Sequence, residues 1–236
     1  MTLDCGFEIL YEEGPCLVVC KPPGLPTQAP AGIDSLETRI KAMLRGRPGG
    51  YDEPYLGIPH RLDRPASGAI IFGTRRRATH RLARQFEARE VKKTYWACVE
   101  GRPDPPDGTW RDHLIKVYGR PQAEVVPPEH PDGRPAVLHY RTRAATAWGA
   151  WLEIELETGR THQVRIQAAS RGHPLVGDFQ YGAQTPFGPQ PDDQRLRAIA
   201  LHARTLEFDH PTSRQRVAVT APAPAFWPDA DALGWR

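Results

Sequence analysis

Apolar and polar positions follow two different periods along this chain, and the switches between them mark its elements. Residues 7–11 and 16–21 are apolar runs of strand length separated by Glu12-Glu13-Gly14-Pro15, which predicts a strand pair joined by a turn. Leu36, Ile40 and Leu44 share one helical face, with Asp34 placed to cap the helix and Glu37, three residues on, as its capping-box partner. Ala69-Ile70-Ile71-Phe72 reads as a buried strand. Residues 75–89 then predict a second helix, with Ala78, Leu82 and Phe86 on its apolar stripe and Arg77, Arg81 and Arg84 on another face. Residues 94–99 predict a strand, and residues 136–145 and 150–156 a hairpin around Trp148-Gly149. Residues 199–208 and 216–220 predict another, joined by His210-Pro211-Thr212-Ser213. Between them, residues 101–135 are rich in Pro, Gly and Asp and predict a long irregular excursion. Hairpins imply antiparallel pairing. The expected fold is therefore α/β of the α+β kind: one domain over residues 1–236, a mostly antiparallel mixed sheet flanked by helices, with a cleft across it.

Composition adds bounds to this picture. A chain of 236 residues can bury one sizeable core, and no Ser/Gly-rich linker divides it. The net charge of +3 does not by itself mark a nucleic-acid protein, but the basic residues cluster between Thr74 and Lys93. No run is long and apolar enough for a membrane span, and the N-terminus lacks the apolar core of a signal peptide, so a cytoplasmic location and no membrane partner are expected. Cys16 and Cys20 flank a strand-like Leu-Val-Val, and no second cysteine pair completes a zinc site, so the four cysteines read as reduced thiols and no metal is expected.

Two polar loops carry the candidate chemistry. The first, His60-Arg61-Leu62-Asp63-Arg64-Pro65-Ala66-Ser67-Gly68, sets a carboxylate among basic residues just before the apolar strand. An Asp there is held by a rigid element yet open to a ligand, and the neighbouring arginines would attract phosphates. Turn and active site are both compatible with this loop alone. The second, Thr158-Gly159-Arg160-Thr161-His162-Gln163-Val164-Arg165, follows the strand-like Trp151-Leu152-Glu153-Ile154-Glu155-Leu156 and leads into a helix.

Together these segments resemble the RluA-type family of bacterial pseudouridine synthases. HRLDRPASG is similar to that family's His-Arg-Leu-Asp run with its Ser-Gly pair, and Lys92-Lys93-Thr94-Tyr95-Trp96-Ala97 to its Lys-x-Tyr-x-Ala segment. GRTHQVR (159–165) resembles its Arg-containing motif and GHPLVGD (172–178) a further run. Leu201-His202-Ala203 with His210-Pro211 resembles the last, and Leu17-Val18-Val19-Cys20-Lys21-Pro22-Pro23-Gly24-Leu25 the opening strand and turn. Six motifs in family order cover nearly the whole chain.

The resemblance implies the pseudouridine synthase fold with a central basic active-site cleft, and an isomerase acting on uridines in structured rRNA or tRNA without cofactor or metal. It implies Asp63 as the catalytic carboxylate, Arg165 as its charge partner and Tyr95 packed on the target base. His60, Arg61, Arg64, Lys21, Arg160, His162 and Val164 are expected at the RNA, with Arg61 supporting the vacated stack and Val164 as an apolar floor. Asp63 could attack the ribose carbon or remove a ribose proton. No appended S4-type RNA-binding module and a monomer are expected. The chain departs from the family pattern at Ala66, where Thr is usual, at Cys20, where Asn is usual, and at Ile166-Gln167, where Val-His is common. Two readings compete: a metal-dependent hydrolase using His60, Asp63, His162, His173, Asp178 or His202, which lacks any compact ligand pattern, and a non-catalytic RNA-binding protein that keeps the fold.

Overall fold

The N-terminal strand pair forms as its pattern requires. In the computed structural model, which describes residues 5–229, β1 (Glu8–Glu13) pairs antiparallel with β2 (Cys16–Lys21), and Gly14 takes the left-handed φ of +52° that the tight turn needs. The described residues form ten strands and three α-helices, divided between two compact units.

The first unit comprises the chain up to Lys93, Asp193–Leu196 and Ala203–Pro224. Its strands run in the order β1-β2-β3-β9-β10, with β3 at Ser67–Gly73, β9 at Leu201–Asp209 and β10 at Arg216–Thr220. The β1–β2, β2–β3 and β9–β10 pairings are antiparallel. All seven residues of β3 are buried, consistent with its unbroken apolar run. The core on one face gathers Val18, Ile71, Leu206 and Phe208 against Leu82 of α2 (Arg76–Glu87). The amide of Gln85 ties this helix to β9: its Nε2 donates to Asp209 O at 2.8 Å, and its Oε1 accepts from Asp209 N–H at 2.8 Å.

Helix α1 (Leu36–Arg45) buries Leu36 and Ile40 as predicted, but its cap differs. Ser35, not Asp34, is the N-cap, and Thr38, not Glu37, closes the capping box. Leu36 is already the first buried helical residue, which leaves the cap position to Ser35; Asp34 instead binds Arg39, and Glu37 binds Lys41.

The second unit comprises Thr94–Asp192, Arg197–His202 and the chain from Ala225. Its strands run β4-β8-β7-β5-β6, all antiparallel. Here β4 is Lys92–Glu100, β5 Asp107–Lys116, β6 Ala123–Val126, β7 Arg134–Ala145 and β8 Gly149–Leu156. The irregular excursion expected over residues 101–135 is therefore largely a strand pair. Only Trp110 and Leu114 of β5 are buried, so its apolar signal is sparse, while the Pro, Gly and Asp residues mark the turns on either side. The core holds Leu152, Ile154 and Val176, with Trp96 edge-on to Trp151 at 5.0 Å. Helix α3 (Gln163–Ala169) starts from His162, whose φ of +53° is left-handed. No helix among the described residues is long and apolar enough to cross a membrane.

Gly68, the second residue of β3, has φ of +115°, and a Cβ there would lie 2.3 Å from the carbonyl oxygen of Ala203 on β9. Gly68→Ala is expected to destabilise the protein by about 3 kcal/mol or more, because both the backbone conformation and the strand approach forbid a side chain. Urea unfolding of the variant beside wild type checks this.

Candidate active site

The loop that carries Asp63 is pinned at nearly every residue. Gly57 and Gly73 exchange backbone hydrogen bonds at 2.8 and 3.0 Å, closing the segment against the end of β3. His60 Nε2 accepts from the Ile71 N–H at 3.0 Å, and its ring stacks on Phe86 at 4.4 Å. The hydroxyl of Thr27 donates to Leu62 O at 3.0 Å and accepts from Leu62 N–H at 3.2 Å, while the Leu62 side chain is buried. Asp63 O accepts from Ala66 N–H at 3.2 Å, forming the turn into β3. Ala66, at the position where a threonine was expected, is buried. Arg61 is left exposed, and Asp63 and Arg64 are half-buried.

Lys21 organises the other side of this loop. Its side chain is fully buried, and Nζ donates to Pro22 O (2.9 Å), Leu25 O (2.7 Å) and Arg64 O (3.1 Å). The same Arg64 carbonyl accepts from Gly24 N–H at 2.8 Å. Three carbonyls use all three ammonium protons. Burial pushes the Lys21 pKa down to about 7, against the opposing pull of the Asp63 carboxylate. Lys21 has neither surface nor spare donors to offer RNA, and the Nε2 of His60, which is half-buried, is occupied by the β3 backbone. Both anchor the loop. Burial, with Lys93 adding to it, drops the His60 pKa to about 3, so the ring is neutral and carries its proton on Nδ1.

In the second unit Arg165 of α3 is equally constrained. Its Nε and Nη2 grip both carboxylate oxygens of Asp178 at 2.6 and 2.8 Å, and Nη2 also reaches Gln180 Oε1 at 2.9 Å. The pair is buried, and the guanidinium lies 4.9 Å from the centre of the Tyr181 ring. From sequence, Asp178 was only a possible metal ligand of a rival hydrolase, not the partner of Arg165. It ends the GHPLVGD run, and an acidic terminus to a family motif was the available signal. The preceding Gly177 has φ of +85°, and a Cβ there would meet Ala198 O at 2.7 Å.

The loop ahead of α3 is locked by Gln163. Its Oε1 accepts from the Thr158 hydroxyl (2.8 Å) and the Arg160 N–H (3.0 Å), and its Nε2 donates to Val137 O (3.1 Å). Arg160 is exposed, its Nε donating to Pro135 O at 3.0 Å. His162 Nδ1 lies 2.9 Å from the Tyr181 hydroxyl. Val164 is buried, as is Tyr95, which stands opposite Ile154 across the β4–β8 pairing. The departure at Gln167 has a local explanation: the residue is fully buried and its Nε2 donates to Asp112 Oδ2 at 2.7 Å, joining α3 to β5.

The structure thus gathers Lys21, His60, Arg61, Asp63 and Arg64 in the first unit, and Tyr95, Arg160, His162, Val164 and Arg165 in the second. Lys21 in the first cluster and Arg165 in the second are oriented by several hydrogen bonds each, the kind of fixed geometry that precise chemistry requires. Nothing in the described residues groups three or more metal-ligating side chains.

Two outcomes follow. Because the folded-state pKa of His60 lies below the ordinary histidine value, the unfolded chain binds the extra proton. The contribution of His60 is therefore intact above about pH 6.5 and is lost as pH falls toward about 3. His60→Asn, which cannot titrate, is expected to flatten the acid limb of a stability–pH curve by about 2–4 kcal/mol between those limits. Asp178→Ala leaves a buried guanidinium without its bidentate partner and is expected to cost about 3–5 kcal/mol in chemical denaturation.

Comparison with known proteins places the chain. Residues 15–170 match the family model described as RNA pseudouridylate synthase. An uncharacterized RNA pseudouridine synthase of Synechocystis sp. is 35% identical over 223 residues, covering 92% of this chain and 66% of that relative. The ribosomal large subunit pseudouridine synthase D of Pseudomonas aeruginosa is 35% identical over 230 residues, covering 95% of this chain and 70% of that protein. The chain thus spans about two thirds of the length of such relatives. Among solved structures, Human RNA Pseudouridylate Synthase Domain Containing 4 superposes with a TM-score of 0.75 at 22% identity, covering 93% of this chain and 89% of that one, a likeness of fold. With its family motifs in order along the two units, the chain belongs to the RluA-type family of RNA pseudouridine synthases, which are isomerases.

Proposed function

We propose that this chain isomerises specific uridines in structured RNA, rRNA or tRNA stem-loops, with Asp63 as the catalytic carboxylate. The observation that carries the reading is the pinning of the Asp63 loop. His60, Leu62 and Arg64 are each fixed by a buried or backbone partner, while the Asp63 carboxylate remains half-exposed. A turn that served only to connect two elements would not need a buried ammonium and an imidazole bonded to the β3 backbone to hold it. Relatives named as ribosomal large subunit pseudouridine synthases favour rRNA as the substrate.

The chemistry follows from the product. The C1′–N1 bond of uridine breaks, the uracil turns in place, and C1′ joins C5. The hydrogen at C5 leaves as a proton and N1 gains one, so atoms and electrons balance with no cofactor. Asp63 acts on the ribose of a nucleotide that has left its stack. To Arg165 we assign the charge-partner role that its family motif implies, and its orientation by Asp178 supports that assignment, since such a role needs a fixed guanidinium. Tyr95 packs on the uracil and Val164 closes the pocket beneath it. Arg61, exposed beside Asp63, supports the vacated stack, since extruding a base costs a few kcal/mol (roughly) and is repaid by contacts to the space it leaves. Arg64, Arg160 and His162 contact the backbone.

The test is tritium release from unmodified rRNA and tRNA transcripts carrying 5-³H-uridine, because joining C1′ to C5 expels that hydrogen. Wild type is expected to release tritium, and Asp63→Asn to release none while still binding the RNA. Equal release by the two proteins would remove Asp63 from the mechanism. No release by wild type, with binding intact, would leave the non-catalytic reading.

A further inference from the structure

The basic face of α2 is not absorbed by the site above. Arg77, Arg81 and Arg84 line one concave cleft of about 650 Å³, and its far wall is the turn between β9 and β10, including Arg214. Phe86, on which His60 stacks, lies roughly half a turn around the helix from these arginines at 3.6 residues per turn, so the cleft opens on the flank of α2 opposite the Asp63 loop.

The cleft is rigid on both walls. Gln85 locks α2 to Asp209 by its two amide hydrogen bonds, and Arg81 Nη1 donates to Pro211 O at 2.5 Å. The turn is built on His210, which is buried: its Nδ1 accepts from Thr212 N–H (3.3 Å), Ser213 N–H (3.0 Å) and the Ser213 hydroxyl (2.9 Å), and its Nε2 donates to Glu13 O (3.1 Å). Arg214 follows with φ of +65°.

The charges in the cleft are unequal. Arg77, Arg84 and Arg214 are exposed and, among the described residues, make no ion pair or side-chain hydrogen bond. Two carboxylates border the cleft, Glu90 and Asp209, and Asp209 already faces Arg216 at 3.4 Å. Uncompensated guanidiniums on a fixed concave wall repel one another unless an anion lies between them. Grouping them on one fixed concave wall concentrates positive potential there, and the partner that supplies regularly spaced anions without needing an apolar pocket is a phosphodiester backbone.

We infer that this cleft holds the phosphate backbone of the substrate RNA at a point away from the reacting uridine, with Arg77, Arg84 and Arg214 as its contacts and Arg81 as the fixed strut between helix and turn. The inference rests on the RNA-modifying reading above and extends it. It makes α2 a two-sided element, whose Phe86 side supports the Asp63 loop and whose arginine side grips RNA. Contacts of this kind set affinity and register rather than the rate of the chemical step.

The experiment is fluorescence anisotropy with a fluorescein-labelled, unmodified stem-loop RNA across about 50–200 mM salt. It compares an Asp63→Asn protein with the same protein carrying Arg77→Gln, Arg84→Gln and Arg214→Gln. Three lost phosphate contacts should reduce the slope of log K against log salt by about 2–3 and weaken binding about tenfold or more near 100 mM salt. Arginine-to-lysine changes at the same three positions should retain most of the slope, which separates charge from folding. With Asp63 restored in both proteins, tritium release at saturating RNA should be the same with and without the three changes.

An unchanged slope and affinity in the glutamine variant would overturn the inference, and so would loss of release at saturating RNA with binding intact. Unchanged RNA binding together with lost binding to polyglutamate would assign the cleft to an acidic polypeptide instead. Because the binding comparison needs no turnover, a wild type that released no tritium would defeat the enzymatic reading and leave this comparison valid.

Discussion

A single ammonium group, that of Lys21, sits where three stretches of the first unit meet. It stands at the end of β2 and draws together the carbonyls of the turn that follows β2 and of the loop after Asp63. An uncompensated charge could not be buried there, and an apolar side chain would take this donor from Pro22 O and Leu25 O and leave Arg64 O with the Gly24 N–H alone. Burial works against the charged form of Lys21, while its hydrogen bonds and the Asp63 carboxylate favour it. The position of the carboxylate and the ionisation of the lysine are therefore one problem with one solution. Thr27 and His60 repeat this logic, each spending a side-chain polar group on the loop backbone.

Arg165 shows the same economy in the second unit. A guanidinium on a long side chain has many rotamers. The two parallel hydrogen bonds to Asp178 remove that freedom before any substrate arrives, and the Tyr181 ring covers one face of the cation. Gln163 does for the loop ahead of α3 what Lys21 does for the Asp63 loop, with a neutral amide in place of a charge.

Much of this was legible in the sequence, for reasons that differ by element. β2 and β3 are apolar runs of strand length, and α2 has a clear stripe at Ala78, Leu82 and Phe86, so period and composition located them. The motif loops were located because polar residues crowd where connecting turns need none. β5 was not seen, since an exposed strand with two buried residues in ten carries little periodic signal between proline-rich turns. The cap of α1 was misplaced by one residue because Asp34 and Ser35 are both competent caps, and only the burial of Leu36 decides between them. The roles of Lys21 and His60 were out of reach for a deeper reason. A Lys or His in a polar motif looks the same in sequence whether its donors face solvent or carbonyls, and the difference lies in partners 4 to 43 residues away. Asp178 was hidden likewise by a 13-residue separation from its arginine.

The first unit also has an unusual order of assembly. Its core joins Val18 and Ile71 to Leu206 and Phe208, and the Gln85 amide reaches across 124 positions of sequence to complete the edge of β9. During synthesis the chain up to Lys93 emerges with one wall of its core open, and it stays open while the whole intervening unit is made. Closure waits for a few C-terminal strands, so the ribosome delivers the parts of the first unit first and last. The second unit, nearly continuous in sequence, has its strand pairs to hand much sooner. For the time taken to translate about a hundred residues, β3 lacks the β9 neighbour it has in the finished molecule, and its edge stays open to mispairing.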